Sequence, residues 1–417
     1  MKNLLRIFII VVYVFLSLSN VYASEEAFPV ITSVYPEYGA SSIDTTIKIS
    51  ISFSGPMDKR SVEDMFYIFP EIKGKFKWDG NTLKFEPQKP LLPSTSYFVS
   101  FTSSIKSSAG MPVILTYFST TPQALCVGPD GNIQIVGLNK QVEKLDVQGN
   151  NPVWSADNSR IVYDYEGDIW TVYSNGKQKE KLTEDETITA TNPLWNPHVD
   201  LIAFVGNNAA DVANIYMVEP ESKIVTQLTA FFQPTTINEI KWSPDGLYCA
   251  FLRDGQIWIM DPDGNNMRRL TTDDLNCKGN FSWSPAGTKI AFSGDLNVWV
   301  GDIYSFEFRK MSFDNTKTGK LDWSKSNMVV FESEGITIME ADGSSEIQIA
   351  TAGKEPLWIN SGKHLSYILP LHNQENTSQL WLLSSDGLTK EKIAVIGAQS
   401  NSVAWSKNIG FKLPQAK

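Results

Sequence analysis

Trp242-Ser243-Pro244-Asp245-Gly246, Cys249-Ala250-Phe251, Gly255-Gln256-Ile257-Trp258-Ile259-Met260, Asp263-Gly264 and Arg269-Leu270-Thr271 follow one another, and their order decides the fold. The next stretch repeats it as Trp283-Ser284-Pro285-Ala286-Gly287, Ile290-Ala291-Phe292, Asn297-Val298-Trp299 and Met311-Ser312. Each piece has a physical task. Pro and Asp-Gly turn the chain. Short apolar runs between turns read as strands buried on both faces, and one Trp per unit supplies a bulky wedge between neighbouring sheets. Working outward, Trp154, Trp195, Trp242, Trp283, Trp323, Trp358 and Trp405 recur at steps of 41, 47, 41, 40, 35 and 47. A period near 40 is that of a propeller blade built from four short strands. Departures are local: Asn196-Pro197-His198, Ser324-Lys325-Ser326-Asn327 and Ile359-Asn360-Ser361-Gly362 stand where the motif weakens.

These units resemble the TolB-type β-propeller repeat; six of them cover nearly the whole span from Trp154 to Trp405, within a propeller domain read over residues 122–417. The segment Gly131 to Asp146 reads as the last part of a blade, with strands at Ile133–Val136 and Val142–Leu145. Trp405 to Leu413 reads as the first part of one, with Ile409–Leu413 as its strand. Pairing the two removes sheet edges and predicts seven blades. Six is the alternative, if one half packs elsewhere.

Ahead of the repeats, Ile43, Ile47, Ile49, Ile51 and Phe53 share one parity, with Ser and Thr between them, which predicts strands with one buried face. Asp79-Gly80-Asn81 predicts a hairpin turn, because Gly and Asn tolerate the positive φ it needs. Tyr35-Pro36-Glu37-Tyr38-Gly39-Ala40, Phe53-Ser54-Gly55-Pro56-Met57-Asp58, Leu83-Lys84-Phe85-Glu86-Pro87 and Leu91 to Tyr97 resemble the bacterial Ig-like domain of surface-layer and other envelope proteins. The resemblance implies an all-β sandwich over residues 28–121 that acts as a spacer or docking module.

Lys2 and Arg6 precede an apolar run from Ile7 to Leu18, and Val21-Tyr22-Ala23 fits a cleavage site. Residues 1–23 therefore read as a signal peptide, with a retained anchor as the alternative. The expected location is periplasmic, extracellular or cell-surface. No later segment approaches the length of a membrane span. The net charge of −10, without a block of like charges, argues against a nucleic-acid partner. Residues 24–122 hold ten acidic and nine basic side chains, so the acidity resides in the repeats. Three cysteines, Cys126, Cys249 and Cys277, do not make a disulfide framework.

Motifs of chemistry are absent: no Gly-x-Ser-x-Gly, no His-Glu-x-x-His, no phosphate-binding Gly-rich loop, no Cys-x-x-Cys. His198, His364 and His372 are the three histidines, and their places in the repeat suggest turn, strand and loop roles. Asp261-Pro262-Asp263-Gly264-Asn265 fails the EF-hand pattern at its sixth and twelfth positions, Asn266 and Thr272, so no metal or cofactor is expected. A catalytic pair of carboxylates would need no His, and clustered carboxylates at the channel mouth would be its mark.

Three loops break the repeat: Thr229 to Pro234, Asn207 to Asn214, and His372 to Ser378. The first carries adjacent aromatics, Phe231 and Phe232, which are the candidate partner contact. In TolB the propeller contacts envelope proteins through loops at the channel mouth, although TolB carries an α/β domain in front. The resulting expectation is a monomeric, non-catalytic scaffold that binds another envelope protein. The alternatives are a secreted lyase or glycan hydrolase, or a carbohydrate-binding protein.

Overall fold

The structure, a computed structural model, describes residues 30–101, 114–275, 277–312, 319–359, 362–371, 377–398 and 403–407. The expected signal peptide, His372 and the strand at Ile409–Leu413 lie outside the described residues.

The N-terminal module is a sandwich of two four-stranded sheets. One sheet orders its strands Ile31–Tyr35, Ile49–Phe53, Thr82–Pro87, Gly74–Asp79; the other orders Ala40–Ile43, Ile114–Thr120, Ser96–Phe101, Phe66–Phe69. Ile49, Ile51 and Phe53 point into the core with Leu83, Phe85, Tyr97 and Phe118. The alternating run does not form one strand. Asp44 accepts from the Thr46 N–H at 2.7 Å and its hydroxyl at 2.6 Å, a local turn that competes with sheet pairing and sends Ala40–Ile43 to the opposite sheet. One short helix, Lys59–Met65, is capped by Asp58; its Glu63 accepts from the Trp78 indole at 2.8 Å.

Residues 123–405 form seven four-stranded sheets among those described. Blades 1 to 6 begin with the strands Asn150–Trp154, Ile188–Trp195, Ile237–Trp242, Cys277–Trp283, Leu321–Trp323 and Lys354–Ile359. Blade 7 is shared between the ends of the chain: Ala404–Trp405 pairs with Gln123–Val127, followed by Asn132–Gly137 and Val142–Gln148. First strands of most neighbouring blades contact one another, so the first strands line the central channel. A core cluster fills each junction between blades. Val162 of blade 1 packs with Trp195 and Phe204 of blade 2; at the closure, Leu125 and Ile133 of blade 7 pack with Trp154 and Tyr163 of blade 1. Cys126 and Cys249 sit in these cores as unpaired thiols, and burial pushes both up to about 12.

The repeat motif gains detail from its hydrogen bonds. The Ser after the Trp accepts from a later backbone N–H: Ser155 from Arg160 at 2.9 Å, Ser243 from Tyr248 at 2.9 Å, Ser284 from Lys289 at 3.0 Å. Gly246 adopts φ 71° in that turn, a conformation that excludes most side chains. The Trp does more than wedge. The Trp242 indole donates to Leu194 O at 3.3 Å, and Trp283 to Lys241 O at 3.2 Å, each tying its strand to the preceding blade.

The sandwich rests on the ring closure. Ser94 Oγ lies 2.8 Å from Ser406 Oγ, and Asn158 Nδ2 donates to Pro93 O at 2.9 Å and to Lys407 O at 2.8 Å. Asn139 Nδ2 donates to Asp44 Oδ2 at 2.9 Å.

Candidate functional site at the channel mouth

Strands in a blade alternate in direction, so turns between the first and second strands, and between the third and fourth, gather on one face. The sandwich uses that face, through Asn158, Ser406 and Asn139. The opposite face gathers the turns between second and third strands and the links from one blade to the next. Thr229 to Pro234 belongs to it, joining Val225–Gln227 of blade 2 to Ile237–Trp242 of blade 3.

The structure separates the two aromatics of that loop. Phe231 packs against the core between blades 2 and 3; the Arg253 guanidinium lies 3.8 Å from its ring centroid, and Asn214 accepts from its N–H at 2.7 Å. It is an anchor. Phe232 is 83% exposed. Adjacent side chains of an extended segment point opposite ways, and the buried amide of Asn214, in the neighbouring polar insertion, fixes which of them faces inward.

Along each first strand, the Trp and the residue two before it point into the blade, as with Trp242 and Ile240. The residues one and three before the Trp therefore face the channel. One before, the positions are Val153, Leu194, Lys241, Ser282, Asp322, Leu357 and Ala404; three before, among described residues, they are Asn151, Asn192, Glu239, Asn280, Lys320 and Glu355. Charge gathers on blades 3, 5 and 6, with the polar Ser282 and Asn280 of blade 4 between them, while Val153, Leu194, Leu357 and Ala404 make the rest of the inner layer apolar.

Lys320 reaches across this mouth. Its Nζ lies 3.7 Å from Glu239 Oε2 on blade 3 and 3.6 Å from Glu355 Oε2 on blade 6. Burial works to lower its pKa, but the two carboxylates outweigh it and hold the ammonium above its ordinary value. Burial pushes Glu355 up; Lys320 opposes this, and repulsion from Glu332 and Glu239 adds to it. Deeper in, Lys241 lies 3.1 Å from Glu239 and donates to Phe281 O at 2.6 Å. Asp322, raised by burial, accepts from Ser282 Oγ at 2.9 Å and from Trp358 N at 2.9 Å, joining blades 4, 5 and 6.

Two kinds of group thus share this face: an exposed aromatic on a loop between blades, and carboxylates of blades 3 and 6 around Lys320 in the channel. The cluster matches no sequence motif, because its members are far apart in the chain. Reading the residue three before each repeat Trp would have exposed it. His198 stays in its turn, with Nε2 2.9 Å from Pro244 O, and His364 lies in a blade 6 strand. Among the described residues, no group of three or more His, Cys, Asp or Glu is arranged to hold a metal ion.

Residues 25–121 match the bacterial Ig-like domain family. No curated protein sequence matches the chain. Among solved structures, the chain is similar to an oligogalacturonate lyase in complex with manganese, with a TM-score of 0.54 and 14% identity over 76% of this chain and 100% of that one. It is also similar to a mutant puromycin hydrolase complexed with PGG (TM-score 0.50, 11% identity, 68% of this chain and 54% of that one). A TolB from Acinetobacter baumannii aligns with a TM-score of 0.44 and 13% identity, over 91% of this chain and 99% of that one. At these identities the likeness is one of fold.

Proposed function

We propose that this protein is a non-catalytic recognition protein of the bacterial cell envelope, whose propeller binds a partner protein through the face opposite the Ig-like module. Phe232 carries the reading: a Phe 83% exposed at the end where the channel opens. Burying such a ring under a partner contributes about 1.5–3 kcal/mol, roughly ten- to hundredfold in affinity. The Ig-like module occupies the other face and leaves the mouth to the partner. Export rests on the N-terminal signal reading; among the described residues no helix is long and apolar enough to cross a membrane.

The test is affinity capture by residues 24–417 from an envelope extract of the native host, with Phe232→Ala alongside. A protein retained by the native chain and lost by the variant supports the reading. Equal retention by both removes Phe232 from the interface, and no retained protein ends the proposal. Phe231→Ala has no place in this test, because it removes a packing anchor and its Arg253 contact.

The carboxylates at the mouth favour a second reading, a propeller hydrolase or lyase acting through Glu239 and Glu355. Turnover of envelope glycan that disappears in Glu239→Gln would support it and displace the first.

A further inference from the structure

Between the sandwich and the propeller, on the face away from the channel mouth just described, lies a cleft of about 450 Å³. That volume falls in the range of small-molecule sites, which favour domain boundaries. The cleft is bordered by direct ties between the two modules. Its lining includes Pro93, which accepts from Asn158 across the junction next to the Ser94–Ser406 contact, and also Asp44 and Asn139, which hydrogen-bond to each other across the two modules. These ties hold the walls at a set separation, so the space is pre-formed and is not the gap of an open hinge.

The lining has a definite chemistry. Tyr173, 40% exposed, stands on the propeller side, as the last residue of the third strand of blade 1, Asp168–Tyr173. Amides line both walls, with Gln141 and Asn175 from the propeller and Gln88 from the sandwich. Ile72, Leu92 and Pro93 add apolar surface. The carboxylates Asp44, Glu71 and Glu143 stand against the ammonium groups of Lys73 and Lys89, a difference of one charge that gives no strong field of either sign. A phosphate or a polyion would find little to attract it. An accessible aromatic ring beside amides that both donate and accept matches a sugar, whose ring C–H face is apolar and whose hydroxyls do both.

We propose that this interdomain cleft binds a neutral oligosaccharide, with Tyr173 stacking on a sugar ring and Asn175 and Gln141 hydrogen-bonding its hydroxyls. The site is separate from the channel mouth and uses different residues, so a protein partner on the far face and a glycan in the cleft are compatible. A chain that holds both would attach its partner to a polysaccharide surface.

Calorimetric titration of residues 24–417 with cellotetraose, chitotetraose and maltotetraose tests the proposal, with tetra-alanine as the non-sugar probe. Binding of at least one sugar is expected. Tyr173→Ala should weaken it about tenfold, the loss of roughly one aromatic contact, whereas Tyr173→Phe retains it and Phe232→Ala leaves it unchanged. Thermal midpoints of the variants should match the native chain, because Tyr173 is exposed. Three results overturn the proposal: no heat from any of the sugars at millimolar concentration, sugar binding indifferent to both Tyr173→Ala and Asn175→Ala, or binding of the peptide in place of the sugars.

Discussion

Replacing Asn158 by Ala should loosen the ring closure and the sandwich together. Asn158 is fully buried, sits at φ 57° in the first turn of blade 1, and makes three hydrogen bonds through its side chain. Two go to the carbonyls of Pro93 and Lys407, and the third comes from the Lys407 N–H at 2.9 Å. Pro93 O keeps the Thr95 hydroxyl at 2.8 Å, but the Lys407 N–H and carbonyl lose their Asn158 partner at about 1–3 kcal/mol each, and a left-handed Ala costs roughly 1 kcal/mol more than a left-handed Asn. Partial relaxation around the shortened side chain trims the sum to about 3–5 kcal/mol, a large part of the 5–15 kcal/mol typical of a domain. The assay is guanidinium denaturation of residues 24–417, followed by tryptophan fluorescence, with limited proteolysis between residues 121 and 123 as the second readout. The propeller's midpoint should fall and cleavage at the junction should quicken. Asn158→Gly separates the two causes: it loses the same hydrogen bonds but tolerates the backbone, so it should be less damaging than Ala. A stability of Asn158→Ala within about 1 kcal/mol of native, or a Gly variant worse than the Ala one, would show that these hydrogen bonds do not hold the closure.

The repeat tryptophans should not be equivalent. The Trp283 indole donates to Lys241 O, whereas the buried Trp154 indole N–H has no partner among the described residues, so Trp283→Phe should cost about 1–2 kcal/mol more than Trp154→Phe in paired denaturant titrations. Glu355 should give the channel a pH signature. Burial raises its folded pKa above the unfolded value, so the folded state holds that proton more tightly and the carboxyl's contribution is most favourable at low pH. It is lost as pH rises through the folded pKa, so Glu355→Gln should gain on the native chain as pH rises above the ordinary Glu value of about 4.3; a difference that stays flat as pH rises would contradict the assignment.

Much of the candidate site was one step from legible. The repeat Trp residues set a register, and in that register Glu239, Lys320 and Glu355 occupy the same channel-facing position. Their meeting depends on ring geometry, which brings blades 3, 5 and 6 around one axis. Phe231 and Phe232 were found as a pair but not told apart. The deciding contacts come from Asn214 on one strand and Arg253 on another, and no local pattern carries them. The run from Ile43 to Phe53 likewise promised strands, yet the Asp44–Thr46 turn divides it between two sheets.

The sequence alone determined what is periodic and local: an Ig-like module ahead of a propeller array, the strands between turns, and the Trp register. These follow from side-chain alternation and turn chemistry, which act over a few residues. That the two chain ends share one blade was read from the sequence as well; the tertiary structure supplied its strands, with Ala404–Trp405 as the first, beside Gln123–Val127 from far earlier in the chain. The tertiary structure alone decided that the sandwich sits on that closure and that Lys320 spans the channel. Each of these joins residues distant in the chain, and their pairing is fixed by packing the whole ring at once.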